Sequence, residues 1–98
     1  MAIKTKVWDA AEHLDTPEAI AAYLEAAFED GDPALIAAAI GDVARARGMT
    51  DLARETGLSR ESLYRALSED GNPSFGTVLK ILQIFGVRLE AKPLETAS

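Results

Sequence analysis

The spacing of apolar residues predicts helices along most of the chain. Thr16, Pro17 and Glu18 form a helix-start signal: a capping hydroxyl, a proline suited to the first turn, and an acid near the positive helix end. Asp32 and Pro33 repeat that signal for a second helix, which is expected to end before Gly48. The predicted inner stripes of these two helices are Ala19, Ile20, Tyr23, Leu24, Ala27 and Phe28, then Leu35, Ile36, Ala39, Ile40, Val43 and Ala44.

Two shorter helices joined by a tight turn are predicted between residues 50 and 68. Thr50 is expected to cap the first helix, Gly57 to make the turn, and Ser59 to cap the second. Leu58 and Leu63 are spaced to form a hydrophobic staple across the second start. The second helix then turns Leu63, Ala66 and Leu67 inward, and Arg60, Glu61, Tyr64, Arg65 and Ser68 outward.

A final helix begins after Ser74 and is apolar on nearly every side until Gly86. Such a helix has more apolar surface than one small core can cover, so it is predicted to contribute to a dimer or partner interface. The predicted interface residues are Phe75, Leu79, Leu82, Phe85, Val87 and Leu89. Apolar and charged residues alternate in segments 3–7 and 87–92, which is typical of short strands.

These elements predict an all-α domain of about five helices, with short β-strands at the two termini. The chain has 98 residues, 48% of them hydrophobic, which is enough for one small core. We divide it into an N-terminal arm at residues 1–14, a helical domain at 15–86 with a helix-turn-helix at 50–68, and a C-terminal strand and tail at 87–98.

Charge is segregated along the sequence. The net charge is −6, yet residues 43–67 hold five arginines against three acids, whereas residues 1–42 hold two lysines against nine acids. A phosphate-binding surface depends on local potential, so the negative total does not exclude nucleic acid. The acidic first helix is either an ordinary solvated face or a docking face for a basic protein.

Few residues are available for catalysis or metal binding. The chain has no cysteine and a single histidine, His13, and its acids show neither metal-ligand spacing nor pairing with a nucleophile. We therefore expect no enzyme activity, no metal and no cofactor. The longest apolar run, Ala34–Ile40, is far shorter than a bilayer span, and no secretion signal precedes it, so a cytoplasmic protein is expected.

From Met49 to Ser68 the sequence resembles a helix-turn-helix of the lambda-repressor-like kind, although Thr56 occupies a position that is more often apolar. The wider chain resembles the addiction-module antidote family, most specifically in the blocks "GDVARARGM", "GLSRESLYRALSEDGNP" and "TVLKILQIFG". That resemblance implies a type II antitoxin. Such a protein would bind and silence a small basic toxin similar to the RelE/ParE group and repress its own operon. A homodimer is expected from the two half-sites that such DNA readers bind and from the surplus apolar surface of the final helix.

The outer face of the second short helix is predicted to enter a major groove of double-stranded DNA. Arginine can bond guanine bidentately, glutamate can accept from cytosine, and hydroxyls at helix starts can hold phosphates. The residues predicted to contact DNA are Thr50, Ser59, Arg60, Glu61, Ser62, Tyr64, Arg65 and Asn72.

The sequence also fits two other functions. One is a free-standing transcriptional repressor without a toxin, and the other is a protein-interaction domain that has lost DNA binding. If it is an antitoxin, the toxin could dock on the acidic first helix or add to the terminal strands, which could equally join two copies of this chain.

Overall fold

The computed structural model describes residues 14–94, and the helices of that range form an all-α domain. Five helices follow one another with short connections: α1, Pro17–Asp30; α2, Pro33–Arg47; α3, Met49–Thr56; α4, Arg60–Ala66; and α5, Phe75–Phe85. The fold class predicted from the apolar spacing is therefore confirmed.

The short helix α3 is central to the packing. It contacts α2, α4 and α5, while α1 packs mainly on α2. The core draws on every helix and on Leu14, just before α1. Its fully buried large side chains are Ile20, Leu24, Ile40, Val43, Leu63, Leu67, Ile81, Leu82 and Phe85.

Most helix starts predicted from the sequence are confirmed. The side chains of Thr16, Asp32 and Ser74 each accept a hydrogen bond from a backbone N–H in the first turn of α1, α2 and α5, respectively. These bonds satisfy donors that have no partner within the helix, so each start is fixed by residues close in sequence.

The predicted cap at Thr50 is wrong. The helix α3 already begins at Met49, with Gly48 in the cap position and no side-chain cap bond. Gly48 has φ +113°, which lets the chain turn from α2 directly into α3 through a single residue. Burial of the Met49 side chain in the core accounts for this earlier start.

The buried face of α2 also differs from the predicted stripe. Leu35, expected inside, is 43% exposed, whereas Ala37 and Gly41, which were not in the stripe, are buried. Small residues let neighbouring segments approach this helix closely, so they are buried here in place of the larger side chain.

The predicted C-terminal strand is absent. Residues 87–94 form no regular secondary structure, and no strand occurs anywhere in residues 14–94. A strand needs a paired neighbour to satisfy its backbone, and this range supplies none. The predicted strand at residues 3–7 lies outside the described residues, as does most of the N-terminal arm.

Candidate nucleic-acid interface

The turn between α3 and α4 is held by short-range hydrogen bonds. Gly57 adopts the left-handed conformation, φ +80°, and its N–H donates to the Ala53 carbonyl at 2.9 Å. The Thr56 hydroxyl donates to the same carbonyl and accepts from the Leu58 N–H, both at 3.3 Å. Thr56, the departure from the usual apolar residue, therefore stabilises the turn by hydrogen bonding instead of by burial.

The helix α4 is fixed at its start and along its inner face. The Ser59 Oγ accepts from the Ser62 N–H at 3.0 Å and donates to the Ser62 Oγ at 2.9 Å. Leu63 and Leu67 are fully buried, and Leu58 packs against the same core. The predicted Ser59 cap and the inward positions of Leu63 and Leu67 are confirmed, and the helix cannot rotate about its axis without exposing both leucines.

The opposite face of α4 carries four exposed side chains: Arg60, Glu61, Tyr64 and Arg65. The Arg60 guanidinium lies over the Tyr64 ring, 5.9 Å from its centroid. Ion pairs within residues 14–94 join Arg45 to Asp42, Arg54 to Asp51 and Arg88 to Glu90, and none involves Arg60 or Arg65. In particular, neither arginine forms an ion pair with the nearby acids Glu61 and Glu69.

The remaining predicted contact residues are spread over α3, the start of α4 and the loop that follows α4. Thr50 is exposed in the first turn of α3, and Asn72 is exposed in the loop between α4 and α5. Ser62 is half-buried and its hydroxyl is engaged by Ser59. Within the described range, no hydrogen bond ties Thr50 or Asn72 to the outer face of α4.

A close contact with α2 positions the end of α4. A Cβ built on Gly41 would lie 2.3 Å from the Leu67 carbonyl oxygen, so only glycine allows this approach. Sequence reasoning missed the role of Gly41. A glycine inside an otherwise alanine-rich helix costs about 1 kcal/mol relative to alanine, and that cost is the signal that could have identified it.

The predicted dimer or partner interface is only partly at the surface. Phe75, Leu79 and Leu89 are exposed, Phe75 by 69%. Leu82 and Phe85 lie in the core, 1% and 2% exposed, and Val87 packs against it. Leu82 and Phe85 therefore have no surface to offer a partner while the core is intact.

A second surface lies on α1 and α2, and its floor reaches the core at Leu14, Ala27 and Ala39. An open apolar groove runs between these helices and is lined by Leu14, Ala19, Ala22, Tyr23, Ala26, Ala27, Asp30, Leu35 and Ala39. The helix α1 carries four acids and no base, and all four acids, Glu18, Glu25, Glu29 and Asp30, are exposed. The surface thus combines apolar contact area with negative charge.

Within residues 14–94, no helix combines the length and apolar character that crossing a bilayer requires. In the same range, no three histidine, aspartate or glutamate side chains are grouped as metal ligands.

Comparison with known protein families tests the resemblance to the addiction-module antidote family. A family model described as "probable addiction module antidote protein" matches residues 4–93. The chain belongs to this family. It is also 42% identical over 92 residues to a protein of Haemophilus influenzae described as uncharacterized, and the match covers 94% of this chain and 95% of that relative. No solved structure matches the chain significantly.

Proposed function

We propose that this chain is the antidote of a type II toxin–antitoxin module, that it binds operator DNA through α4, and that it represses its own operon. The observation that carries the DNA-binding proposal is the outer face of α4. That face presents Arg60 and Arg65 to solvent, without an ion-pair partner in residues 14–94. Family membership supports the antidote role.

The geometry suits a major groove because α4 follows a tight turn and is anchored to the core. Its start is capped by Ser59 and its inner face is anchored by Leu63 and Leu67. A second helix of a helix-turn-helix inserts its exposed face, and arginine donors can bond guanine there bidentately. Arginines already engaged in ion pairs would first have to give up those pairs, which Arg60 and Arg65 do not.

The DNA-binding proposal is tested with the duplex that lies upstream of the chain's own reading frame. Arg60→Ala combined with Arg65→Ala is expected to weaken binding by about 30-fold or more, since each bidentate arginine contributes roughly 1–3 kcal/mol. Fluorescence anisotropy at fixed salt measures the affinity.

The matched control removes the same charge elsewhere. Arg88→Ala with Lys92→Ala also deletes two exposed cations, but from the segment after α5. Arg88 and Lys92 lie beside Leu89, a residue of the proposed dimer interface, so sedimentation equilibrium first checks that this control dimerises as the parent does. It is then expected to bind the duplex much as the parent does. If the α4 double variant binds as tightly as this control, α4 is not the DNA-reading element.

The toxin partner is proposed to dock on the α1–α2 surface. The exposed acids of α1 complement a basic protein, which speeds association and disfavours acidic partners, and the neighbouring groove supplies apolar area for affinity. The homodimer is proposed to use the exposed part of α5 and the segment after it, around Phe75, Leu79 and Leu89.

Growth rescue tests the antidote role. A basic protein encoded beside this chain is expected to arrest growth when expressed alone, and co-expression of the parent chain to restore it. Charge reversal of Glu18, Glu25 and Glu29 to lysine should abolish the rescue. Reversal of Glu55, Glu69 and Asp70, which are also exposed but lie off α1, should leave it intact.

Two results would contradict the docking proposal. Full rescue by the α1 variant would exclude α1 as the docking face. If the neighbouring frame is absent or harmless, a free-standing repressor becomes the better interpretation.

A further inference from the structure

The outer face of α4 contains a pairing that simple helical spacing does not require. Arg60 and Tyr64 lie one turn apart, and the Arg60 guanidinium carbon is 5.9 Å from the centre of the Tyr64 ring. This distance is within the range in which a cation is attracted to the face of an aromatic ring. The Tyr64 side chain is 40% exposed, so the pair lies at the surface that would meet a ligand.

Holding the Arg60 side chain in one conformation is entropically costly because the side chain is long. A free arginine loses up to about 2 kcal/mol of rotamer entropy when it is held in one geometry. Contact with a ring that is itself part of the helix removes some of this freedom before a ligand arrives. A guanidinium that contacts a ring through its flat face keeps its N–H edge available, and that edge is what bonds O6 and N7 of guanine.

Arg65 provides a contrast on the same helix. It is exposed like Arg60, but no aromatic ring in residues 14–94 lies against its guanidinium. The two arginines therefore differ in aromatic contact, although both are charged, exposed and on the same helix. Tyr64 can therefore hold the guanidinium of Arg60 but not that of Arg65.

We propose that Tyr64 is a positioning residue that holds the guanidinium of Arg60 for bidentate recognition of one G·C base pair. This inference rests on the proposed DNA-binding function of α4. Tyr64 raises the preference of Arg60 for guanine over the other bases, and its contribution to specificity disappears when Arg60 is absent.

The test measures base discrimination rather than overall affinity. The probes are the duplex upstream of the chain's own reading frame and a set of duplexes that each carry one base-pair change. Arg60→Ala identifies the base pair that Arg60 reads, as the position where the parent's discrimination is lost. Tyr64→Leu, which keeps an apolar side chain but removes the ring, is expected to lower discrimination at that same position about threefold.

Two further variants separate positioning from a structural role. Tyr64→Phe retains the ring and is expected to discriminate between base pairs as the parent does. In the Arg60→Ala background no discrimination is left at that base pair, so the readout there is affinity, and Tyr64→Leu is expected not to lower the affinity for the upstream duplex further. In the Arg65→Ala background its threefold effect on discrimination should persist. Thermal unfolding of each variant shows whether α4 remains folded.

The outcomes distinguish this inference from the function on which it rests. If the parent binds the upstream duplex no better than an unrelated duplex, the proposed function fails. If the parent discriminates but Tyr64→Leu does so equally well, Tyr64 does not position Arg60. Loss of discrimination at a different base pair, or a threefold loss of affinity when Arg60 is already removed, would show that Tyr64 contacts DNA itself and would also overturn the inference.

Discussion

At the scale of single residues, Asp42 joins the two longest helices. One carboxylate oxygen accepts from the Tyr23 hydroxyl at 2.7 Å, and the other accepts from Arg45 at 2.7 Å. Tyr23 lies on α1 and Asp42 on α2, so this hydrogen bond ties the helices together beside the apolar groove. Burial and the adjacent Asp42 carboxylate raise the pKa of Tyr23 from 10.0 to about 12.

The raised pKa predicts a loss of stability at alkaline pH. Because the unfolded phenol ionises near pH 10 and the folded one near 12, the folded state retains a proton that the unfolded state releases. The contribution of Tyr23 is complete below pH 10 and falls as the pH rises towards 12. Tyr23→Phe cannot show this loss.

Urea unfolding of both proteins measures the effect. Below pH 10, Tyr23→Phe is expected to be less stable by roughly 1 kcal/mol, the usual worth of one hydrogen bond. The difference in unfolding free energy should then shrink as the pH rises from 10 to 12. Parallel stability profiles over that range would show that Tyr23 keeps its proton no more tightly than an unfolded tyrosine.

At the scale of helices, the contact between α2 and the end of α4 fixes where the candidate DNA-binding helix lies. The backbone of Leu67 approaches Gly41 so closely that a methyl group on Gly41 would overlap the carbonyl oxygen. The obstacle is backbone, which cannot move aside as a flexible side chain can. A change on α2 therefore acts on α4 without touching any exposed residue.

Gly41→Ala is expected to destabilise the protein. Alanine gains about 1 kcal/mol of helix propensity, but forced overpacking typically costs about 1–3 kcal/mol, and here the clash is with backbone. DNA affinity should also fall, because α4 must shift to relieve the overlap. Thermal unfolding and anisotropy measure the two effects.

Gly76→Ala is the matched control, since a Cβ at Gly76 meets nothing within 4 Å. It lies in the first turn of α5 and is expected to be neutral or to stabilise by up to about 1 kcal/mol. If Gly41→Ala is as stable as Gly76→Ala, the close approach of α2 and Leu67 is not a constraint on the fold.

At the scale of the whole molecule, the candidate functional surfaces are on different helices. Arginines project from α4, acids from α1, and exposed apolar side chains from α5 and the segment after it. The segregation seen in the sequence thus persists in three dimensions. It lets one small domain of negative total charge carry exposed arginines on α4 and exposed acids on α1.

Disruption of the α5 surface is expected to convert a dimer into a monomer. Phe75→Glu with Leu79→Glu places two charges where the proposed interface is apolar, whereas both side chains are already exposed in the monomer, so folding should survive. Sedimentation equilibrium measures the oligomeric state. Leu35→Glu changes an exposed leucine on α2 and serves as the control, which is expected to dimerise as the parent does. A parent chain that is monomeric, or a double variant that still dimerises, would contradict the proposal.

Much of the fold could be predicted because its signals are local. Thr16, Asp32, Ser59 and Ser74 all cap helices as expected, and Gly57 makes the expected turn, because each acts on backbone groups within a few residues. The start of α3 was predicted wrongly because it depends on contacts with distant segments and not only on nearby backbone groups. Burial of Met49 in the tertiary core outweighed the local preference for a threonine cap.

The candidate site was likewise predictable only in part from the sequence. Helical spacing was sufficient to place Arg60, Glu61, Tyr64 and Arg65 on the face opposite Leu63 and Leu67. It could not show that Arg60 lies over Tyr64, or that both arginines lack ion pairs in residues 14–94, since rotamers and neighbours decide those contacts. It also could not separate Phe75 at the surface from Phe85 in the core, because α5 is apolar on most sides.

The sequence by itself therefore determined the helices, the caps of α1, α2, α4 and α5, and the polar face of α4, because these depend on the 3.6-residue repeat and on hydrogen bonds within one turn. Only the tertiary structure decided which apolar residues of α2 and α5 are buried, why Gly41 must be small, and why residues 87–94 form no strand. Those outcomes depend on which distant segments come into contact, and that information is distributed over the whole chain.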